Sequence, residues 1–239
     1  MLSHGLKKTL KKIRAFSTSW MTDQTLDHLH AMRVYELGRV LEMLPPSGRV
    51  LEIGAGTGWQ AQVLERHGYQ VSAIDLAQSP YRADRVWPVA EYDGRTIPFD
   101  DGLFDIVFTS NVLEHIPHVR EFQKEIHRVL KPEGWVLHVL PSGNFRVWTN
   151  FACLLKHWTL PKAHGEHAGN SLAEIYGFSR RWWMRLFCGT GWTVVAQASN
   201  RLFYTGSSIL DSRLSVRARG RLSRVLGGSC NIFVLRKRK

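Results

Sequence analysis

Short apolar runs alternate with amphipathic stretches along most of the chain. Five of these runs have the length and apolar character of buried strands, at 49–53, 70–75, 86–90, 104–109 and 135–140. The stretches at 59–67 and 119–130 lie between them and carry apolar residues at helical spacing. Because strands and helices alternate in this order, the pattern predicts a doubly wound, mostly parallel sheet with helices on both faces.

Four further elements complete the predicted domain. Helices are predicted over 23–44 and 180–188, and strands over 192–198 and 232–235. The predicted α/β sheet then has seven strands. With 44% hydrophobic residues, the chain can bury a sizeable core.

The formal charge of +12 comes largely from the two ends of the chain. Residues 1–22 hold five Lys or Arg and no acid, and residues 211–239 hold nine against one Asp. Such an excess favours anionic partners. Arginines recur at 213, 217, 219, 221 and 224, but without interleaved aromatic residues or a nucleic-acid-reading motif. The pattern therefore argues against a nucleic-acid partner and favours an anionic membrane surface or a phosphate-bearing ligand.

Residues 1–22 form a separate basic segment in this prediction. It is interpreted as a solvated terminus, as a helix lying on an anionic membrane surface, or as a transit peptide. No run of about 18 uncharged apolar residues occurs, so no transmembrane helix is expected. Cys153, Cys188 and Cys230 lack metal-ligand spacing, which favours reduced thiols in the cytoplasm. The basic ends of the chain keep association with the inner membrane surface as an option.

The first predicted strand runs into the glycine-rich sequence Glu-Ile-Gly-Ala-Gly-Thr-Gly at 52–58. Glycines allow a tight turn and close approach of a ligand, and the following helix offers free N–H groups. No Gly-Lys-Ser/Thr follows, which excludes the phosphate-binding loop of nucleotidases. The third glycine of a dinucleotide loop is replaced by Trp59.

Four segments, in order, resemble class I S-adenosylmethionine (SAM)-dependent methyltransferases, closest to their type 11, small-molecule branch. They are 50–58, 97–107, 111–116 and 128–134, and the resemblance covers about 45–140. It implies a Rossmann-like fold, SAM as cofactor and S-adenosylhomocysteine as product. It also implies a set of cofactor-binding residues, namely Glu52, Gly54, Ala55, Gly56, Gly58, Asp75, Leu76, Asp93, Gly94 and Asn111. Asp75 would bind ribose hydroxyls, and Asp93 would contact adenine.

Methyl transfer to a hydroxyl also needs a base. His115 follows the fourth predicted strand, and His164 and His167 lie after the fifth, so these three histidines are the candidate catalytic residues. Histidines separated only by Gly165 and Glu166 do not complete a metal site, so no metal is expected. Tyr176 and Arg180 could help to hold an anionic or sugar acceptor.

The stretch after the fifth strand breaks the alternation. Residues 141–178 lack a strand pattern, and Trp148, Phe151 and Trp158 recur at helical spacing. These rings either pack on the core or cover an apolar acceptor. We predict one methyltransferase domain over 23–239, with 141–190 as a substrate-side insertion or lid.

The sequence predicts transfer of a methyl group to a small or lipid- or sugar-linked acceptor, at oxygen. A quinone-type C-methyltransferase and a non-catalytic partner protein with the same fold remain alternatives. The stretch 164–235 also resembles, loosely, bacterial methyltransferases of surface-polysaccharide or lipid-linked glycan assembly. That likeness implies a glycan or lipid-linked acceptor.

Overall fold

The computed structural model describes residues 23–238, with the side chains of 23–27, 29 and 210 left out. The predicted basic segment 1–22 lies outside the described residues. Seven strands are described: β1 Arg49–Ile53, β2 Gln70–Leu76, β3 Ala90–Tyr92, β4 Phe104–Ser110, β5 Leu130–Pro141, β6 Trp192–Ser199 and β7 Cys230–Lys237. The α-helices of this part of the chain are α1 Asp23–Leu41, α2 Trp59–Arg66, α3 Val119–Val129, α4 Gly143–His157, α5 Ala173–Gly177, α6 Arg180–Gly189 and α7 Val216–Leu226.

All seven strands form one sheet in the order β3-β2-β1-β4-β5-β7-β6. Neighbouring strands from β3 to β5 are parallel, whereas β7 runs antiparallel to both β5 and β6. The carboxyl ends of β1, β2, β4, β5 and β6 therefore share one edge with the start of β7. This arrangement confirms the predicted Rossmann-like, mostly parallel seven-stranded sheet.

Two apolar layers cover the two faces of the sheet. Leu51 of β1 packs in the layer that α3 and α6 cover, with Phe122 and Trp183 fully or almost fully buried. Its neighbour Val50 faces the opposite layer, which contains Met32 of α1 and residues of α2. Successive residues of a strand point to opposite faces, which explains why β1 is apolar at both positions.

The third strand was predicted too early in the chain. Residues 86–90 were expected to form it, but β3 occupies Ala90–Tyr92. Val86 N donates instead to Thr57 O at 2.8 Å, and Trp87 packs beside Gly58. Pro88 has no N–H to give to a sheet. The apolar stretch therefore crosses the glycine loop before β3 begins.

The helix α7 was not predicted. Its sequence carries four arginines and Gly220, which is unfavourable inside a helix, so the stretch was interpreted as a basic cluster and not as a helix. Ser215 begins the helix by accepting a hydrogen bond from Ala218 N at 3.2 Å. Arg219 belongs to the arginine cluster noted in the sequence, but it is fully buried and donates to backbone carbonyls, including those of Ser208 and Asp211.

No helix among the described residues is long and apolar enough to cross a membrane.

Candidate functional site

The glycine loop between β1 and α2 takes a shape that other residues adopt rarely. Gly54, Gly56 and Gly58 have φ angles of 74°, 56° and 75°. This left-handed region is open to glycine at little cost. The N–H groups of Gly54 and Ala55 donate to Ile74 O at 2.8 and 3.1 Å, which holds the loop against β2. Gly58 caps α2 without a side-chain hydrogen bond, so the helix N-terminus can receive an anionic group.

Asp75 joins this loop to the end of β2. Its Oδ2 accepts from Gly56 N at 3.0 Å and from Ser79 Oγ at 2.8 Å, and its Oδ1 accepts from Leu76 N at 2.8 Å. A carboxylate has about four acceptor positions, so one remains for a ribose hydroxyl. Rotation of the Ser79 hydroxyl would free a second.

Glu52 lies beneath the loop with 1% of its surface exposed. Burial raises the pKa of its carboxyl to about 8, against the opposing hydrogen bond from Ala61, and the charge of Asp75 raises it further. Its Oε2 has no partner among the described residues. A buried oxygen without a partner is costly unless a ligand or water meets it. Glu52 therefore fits a polar ligand at this loop.

The predicted adenine side lies at the ends of β2 and β3. Asp93 is exposed, and its Oδ1 accepts from the N–H groups of Thr96 and Arg95, each at 2.7 Å, which lowers its pKa. Gly94 has a φ of 79°, and a Cβ there would lie 2.9 Å from Leu76 Cδ2. The ends of the two strands are thus packed closely, and the adenine contact of Asp93 stays a prediction.

Val112 connects the glycine loop to the segment after β4. A Cβ on Gly54 would lie 2.3 Å from Val112 Cγ2, so no larger residue fits without movement. Asn111, just before it, has a φ of 54° and donates its N–H to Val139 O at 2.8 Å. The segment that carries the predicted base therefore lies directly against the predicted cofactor loop.

The structure brings together the three predicted catalytic histidines. The rings of His115 and His164 lie 4.9 Å apart between centroids. His167 bonds through Nε2 to Leu113 O at 2.9 Å. The backbone of the same loop also binds this segment, since Glu166 N donates to Glu114 O at 2.8 Å.

In the sequence, Glu114 was noted only as part of the 111–116 segment. In the structure it lies beside His115 and His164. Its side chain is fully buried, and neither carboxyl oxygen has a hydrogen-bond partner in another described residue. Its Oε1 lies 3.9 Å from His115 Nε2. Burial raises the pKa of Glu114 to about 8. Burial also lowers the pKa values of His115 and His164, so both rings are neutral near pH 7 and can accept a proton.

A buried ion pair holds the His164 loop in place. Glu174 Oε1 accepts from the N–H groups of His164 and Gly165 at 2.5 and 2.6 Å. Its Oε2 lies 2.7 Å from Arg146 Nε, and both side chains are almost fully buried. This pair was not predicted from the sequence, because charged residues in helices are usually exposed.

Glu114, His115 and His164 also offer ligand atoms that lie within 4.8 Å of one another. Three such ligands would suit a catalytic ion with an open position. The same three groups can equally exchange protons with an acceptor. The prediction that no metal is bound is left untested by this geometry.

The aromatic residues in and just after α4 were expected either to pack on the core or to cover an apolar acceptor, and they do not all behave alike. Trp148 packs on Phe203 and donates from Nε1 to Leu226 O at 3.0 Å. Phe151 and Trp158 are 51% and 86% exposed, with Leu155 also exposed at 66%. Trp148 is therefore half-buried against Phe203 and the end of α7, outside the core clusters. The others form an exposed apolar surface, here named the α4 surface.

Comparison with known proteins supports the same class. The methyltransferase-domain family matches residues 28–197. A SAM-dependent methyltransferase structure from Mesorhizobium loti aligns with a TM-score of 0.58 at 16% identity, over 85% of this chain and 98% of that one. A second, from Aquifex aeolicus, aligns with a TM-score of 0.56 at 13% identity, over 95% of this chain and 97% of that one. At these identities the structures show a shared fold.

Two curated relatives share more sequence. A 2-methyl-6-phytyl-1,4-hydroquinone methyltransferase from Synechocystis is 33% identical over 46% of this chain and 36% of its own length. A ubiquinone biosynthesis O-methyltransferase from Xanthomonas axonopodis pv. citri is 32% identical over 52% of this chain and 57% of its own length. The aligned part of this chain thus spans between about a third and three fifths of these relatives.

The sheet order and the family match define a class I SAM-dependent methyltransferase. Within that class, the chain belongs to the methyltransferase-domain family that it matches over 28–197. This membership implies SAM as the cofactor. The N-terminus of α2, which has only Gly58 as its N-cap, the three glycines of the loop and the unpaired Glu52 oxygen fit such a group.

Proposed function

We propose that this chain transfers a methyl group from SAM to a hydroxyl oxygen of a small acceptor, which is either free or linked to a lipid or glycan. The contact between Gly54 and Val112 carries this proposal. It brings the loop that would hold the cofactor against the segment that carries Glu114 and His115. An acceptor at this junction would meet the cofactor and a base together.

Bound SAM would supply an activated methyl group. The residues of the chain would bind the cofactor and remove the proton of the acceptor. Gly54–Gly58, Glu52 and Asp75 would hold the cofactor. A neutral imidazole, His115 or His164, would take the proton of the acceptor hydroxyl as the new C–O bond forms. The Arg146–Glu174 pair would keep His164 in position.

The names of the curated relatives support an aromatic diol, such as a hydroquinone, as the acceptor class. One relative is named for a phytyl hydroquinone and the other for O-methylation in ubiquinone biosynthesis. A C-methyltransferase acting on a quinol is the second candidate, because the first of these names leaves the methylated atom open.

An apolar acceptor would agree with action at a membrane surface. We propose that the protein is cytoplasmic and binds an anionic membrane through the α4 surface. Its exposed Phe151, Leu155 and Trp158 can enter the apolar boundary, and the formal charge of +12 would add attraction.

The test uses the full chain, methyl-labelled SAM, and matched catechol and hydroquinone acceptors with short and long apolar tails. We expect an O-methylated product, identified by mass spectrometry. A C-methylated product would support the second candidate instead. SAM binding without product from these acceptors or from a cell extract would contradict catalysis and favour the non-catalytic alternative.

A further inference from the structure

A pocket of about 1510 Å³ opens at the carboxyl edge of the sheet, away from the glycine loop. Its walls come from the start of α4, the end of β6, the start of β7 and one side of α7. Strand β7 is separated from β4 only by β5. With strands about 4.8 Å apart, the pocket floor lies roughly 10 Å along the sheet from the end of β4, where the histidines are.

The pocket is strongly basic. Five arginines line it, namely Arg180, Arg201, Arg217, Arg221 and Arg224, and its described lining holds no Asp or Glu. Three of them recur on one side of α7, at the spacing that places residues on one helix face. Among the side chains that the structure describes, none of the five forms an ion pair with a carboxylate.

One of these arginines is held in a fixed position. Arg180 donates from Nε to Asn231 Oδ1 at 2.8 Å, and Asn231 also lines the pocket. Arg219 lies on the opposite, buried side of α7. It donates to the carbonyls of Ser208 and Asp211 and so holds the helix in place. The helix is therefore fixed with its three pocket arginines on the outer side.

Two helices also begin at this pocket. The N-cap residues of α4 and α6, Ser142 and Ser179, both belong to its lining. Each serine side chain already accepts one N–H of its helix, from Phe145 or from Trp182. The helix ends still carry a partial positive charge, which favours an anion. The helix ends and the arginines are independent features, and both favour negative charge at the same place.

We propose that this pocket binds a phosphate or diphosphate group carried by the methyl acceptor. Guanidinium groups can bind phosphate oxygens in pairs, and five of them with two helix ends suit more than a single negative charge. The acceptor would place its hydroxyl near His115 and its phosphate roughly 10 Å away. This inference rests on the proposed function for the acceptor, but the anion site can be tested separately.

The probes are inorganic phosphate and pyrophosphate, titrated into the full chain by calorimetry. The pocket variant is R217Q/R221Q/R224Q. The control variant is R66Q/R120Q/R181Q, which removes the same charge from exposed arginines outside the pocket. We expect pyrophosphate to bind the wild type more tightly than phosphate does. Its affinity should fall at least about tenfold in the pocket variant and stay within about twofold in the control.

Circular dichroism and SAM titration accompany each variant. Unchanged SAM affinity in the pocket variant, with lost pyrophosphate binding, supports the proposal. Equal pyrophosphate binding by the pocket and control variants overturns it. A wild type that binds pyrophosphate but not SAM would leave the anion site intact and refute the methyltransferase proposal, so the two failures are distinct.

Flotation with vesicles separates a phosphate on the acceptor from a lipid headgroup. Vesicles of phosphatidylcholine, with and without phosphatidylglycerol, are used with the same variants. If the pocket variant alone loses binding to the anionic vesicles and pyrophosphate does not bind the wild type, the arginines face a membrane. That result overturns the acceptor assignment. Unchanged flotation together with lost pyrophosphate binding supports it.

Discussion

The rings of His115 and His164 lie 4.9 Å apart, although one follows β4 and the other follows α4. Glu114 lies against the first ring, and the Arg146–Glu174 pair holds the backbone of the second. Two neutral imidazoles over a buried carboxyl group form a proton-accepting cluster beside the glycine loop. The first prediction therefore concerns catalysis.

Replacement of either ring should slow turnover. We expect H115A and H164A each to lower kcat by about 10²- to 10⁴-fold if the ring is the base, with SAM affinity unchanged. H157A, which removes an exposed histidine of α4, is the control and should keep full activity. Because burial lowers both pKa values, wild-type activity should fall only when the pH drops below about 6.5. An unchanged pH profile in both variants would argue against a histidine base.

Asp75 should control cofactor affinity. In D75A the ribose hydrogen bonds to a charged acceptor are lost, which should weaken SAM binding by about 1.5–3 kcal/mol. D100A, at an exposed carboxylate outside the loop, is the matched control. Calorimetry measures the affinity, and thermal unfolding without SAM reveals any loosening caused by the lost Gly56 hydrogen bond. Equal SAM affinity in D75A and wild type would refute the assignment.

Gly54 tests the packing between the cofactor loop and the segment after β4. G54A meets both a φ of 74° and a Cβ 2.3 Å from Val112, so we expect a loss of about 1–3 kcal/mol in unfolding free energy. G68A has a φ of 91° but no neighbour within 4 Å, and should lose less. The double variant G54A/V112A should recover part of the stability in chemical denaturation. Additive losses would show that the contact is unimportant.

The pH dependence of stability should reveal Glu114. Its folded pKa of about 8 exceeds the ordinary value near 4.5, so the folded state holds the proton more tightly. Its contribution is full below about pH 4.5 and declines as the pH rises toward 8, by at most about 1.4 kcal/mol per pH unit. E114Q should flatten this decline in urea unfolding at several pH values. Glu52 contributes with the same sign, so some slope should remain.

E121Q removes a carboxylate on the exposed side of α3 and serves as the control for this experiment. Its pH dependence should match that of the wild type. A slope that E114Q leaves unchanged would show that Glu114 is ionised throughout this range.

The α4 surface should be needed for membrane association. L155S/W158S changes two exposed side chains, so unfolding free energy should change little. Flotation with vesicles containing phosphatidylglycerol should fall strongly, because apolar area that enters the membrane is lost. V225S changes a residue that is 86% exposed on α7 and should float as the wild type does. A wild type that never floats at low salt would refute the membrane proposal.

The sequence by itself determined the alternation of strands and helices from β1 to β5, apart from β3, together with the glycine loop and the position of Asp75. These features depend on local spacing, since apolar period and turn residues act within a few positions. The positions of β3 and α7 could not be predicted from neighbouring residues. Residues 86–89 cross over Gly58, and Arg219 is buried, because of contacts with residues that are distant in sequence. Only the tertiary structure placed His164 beside His115 and three arginines of α7 in one pocket. These contacts depend on how loops and helices that are separate in sequence pack together.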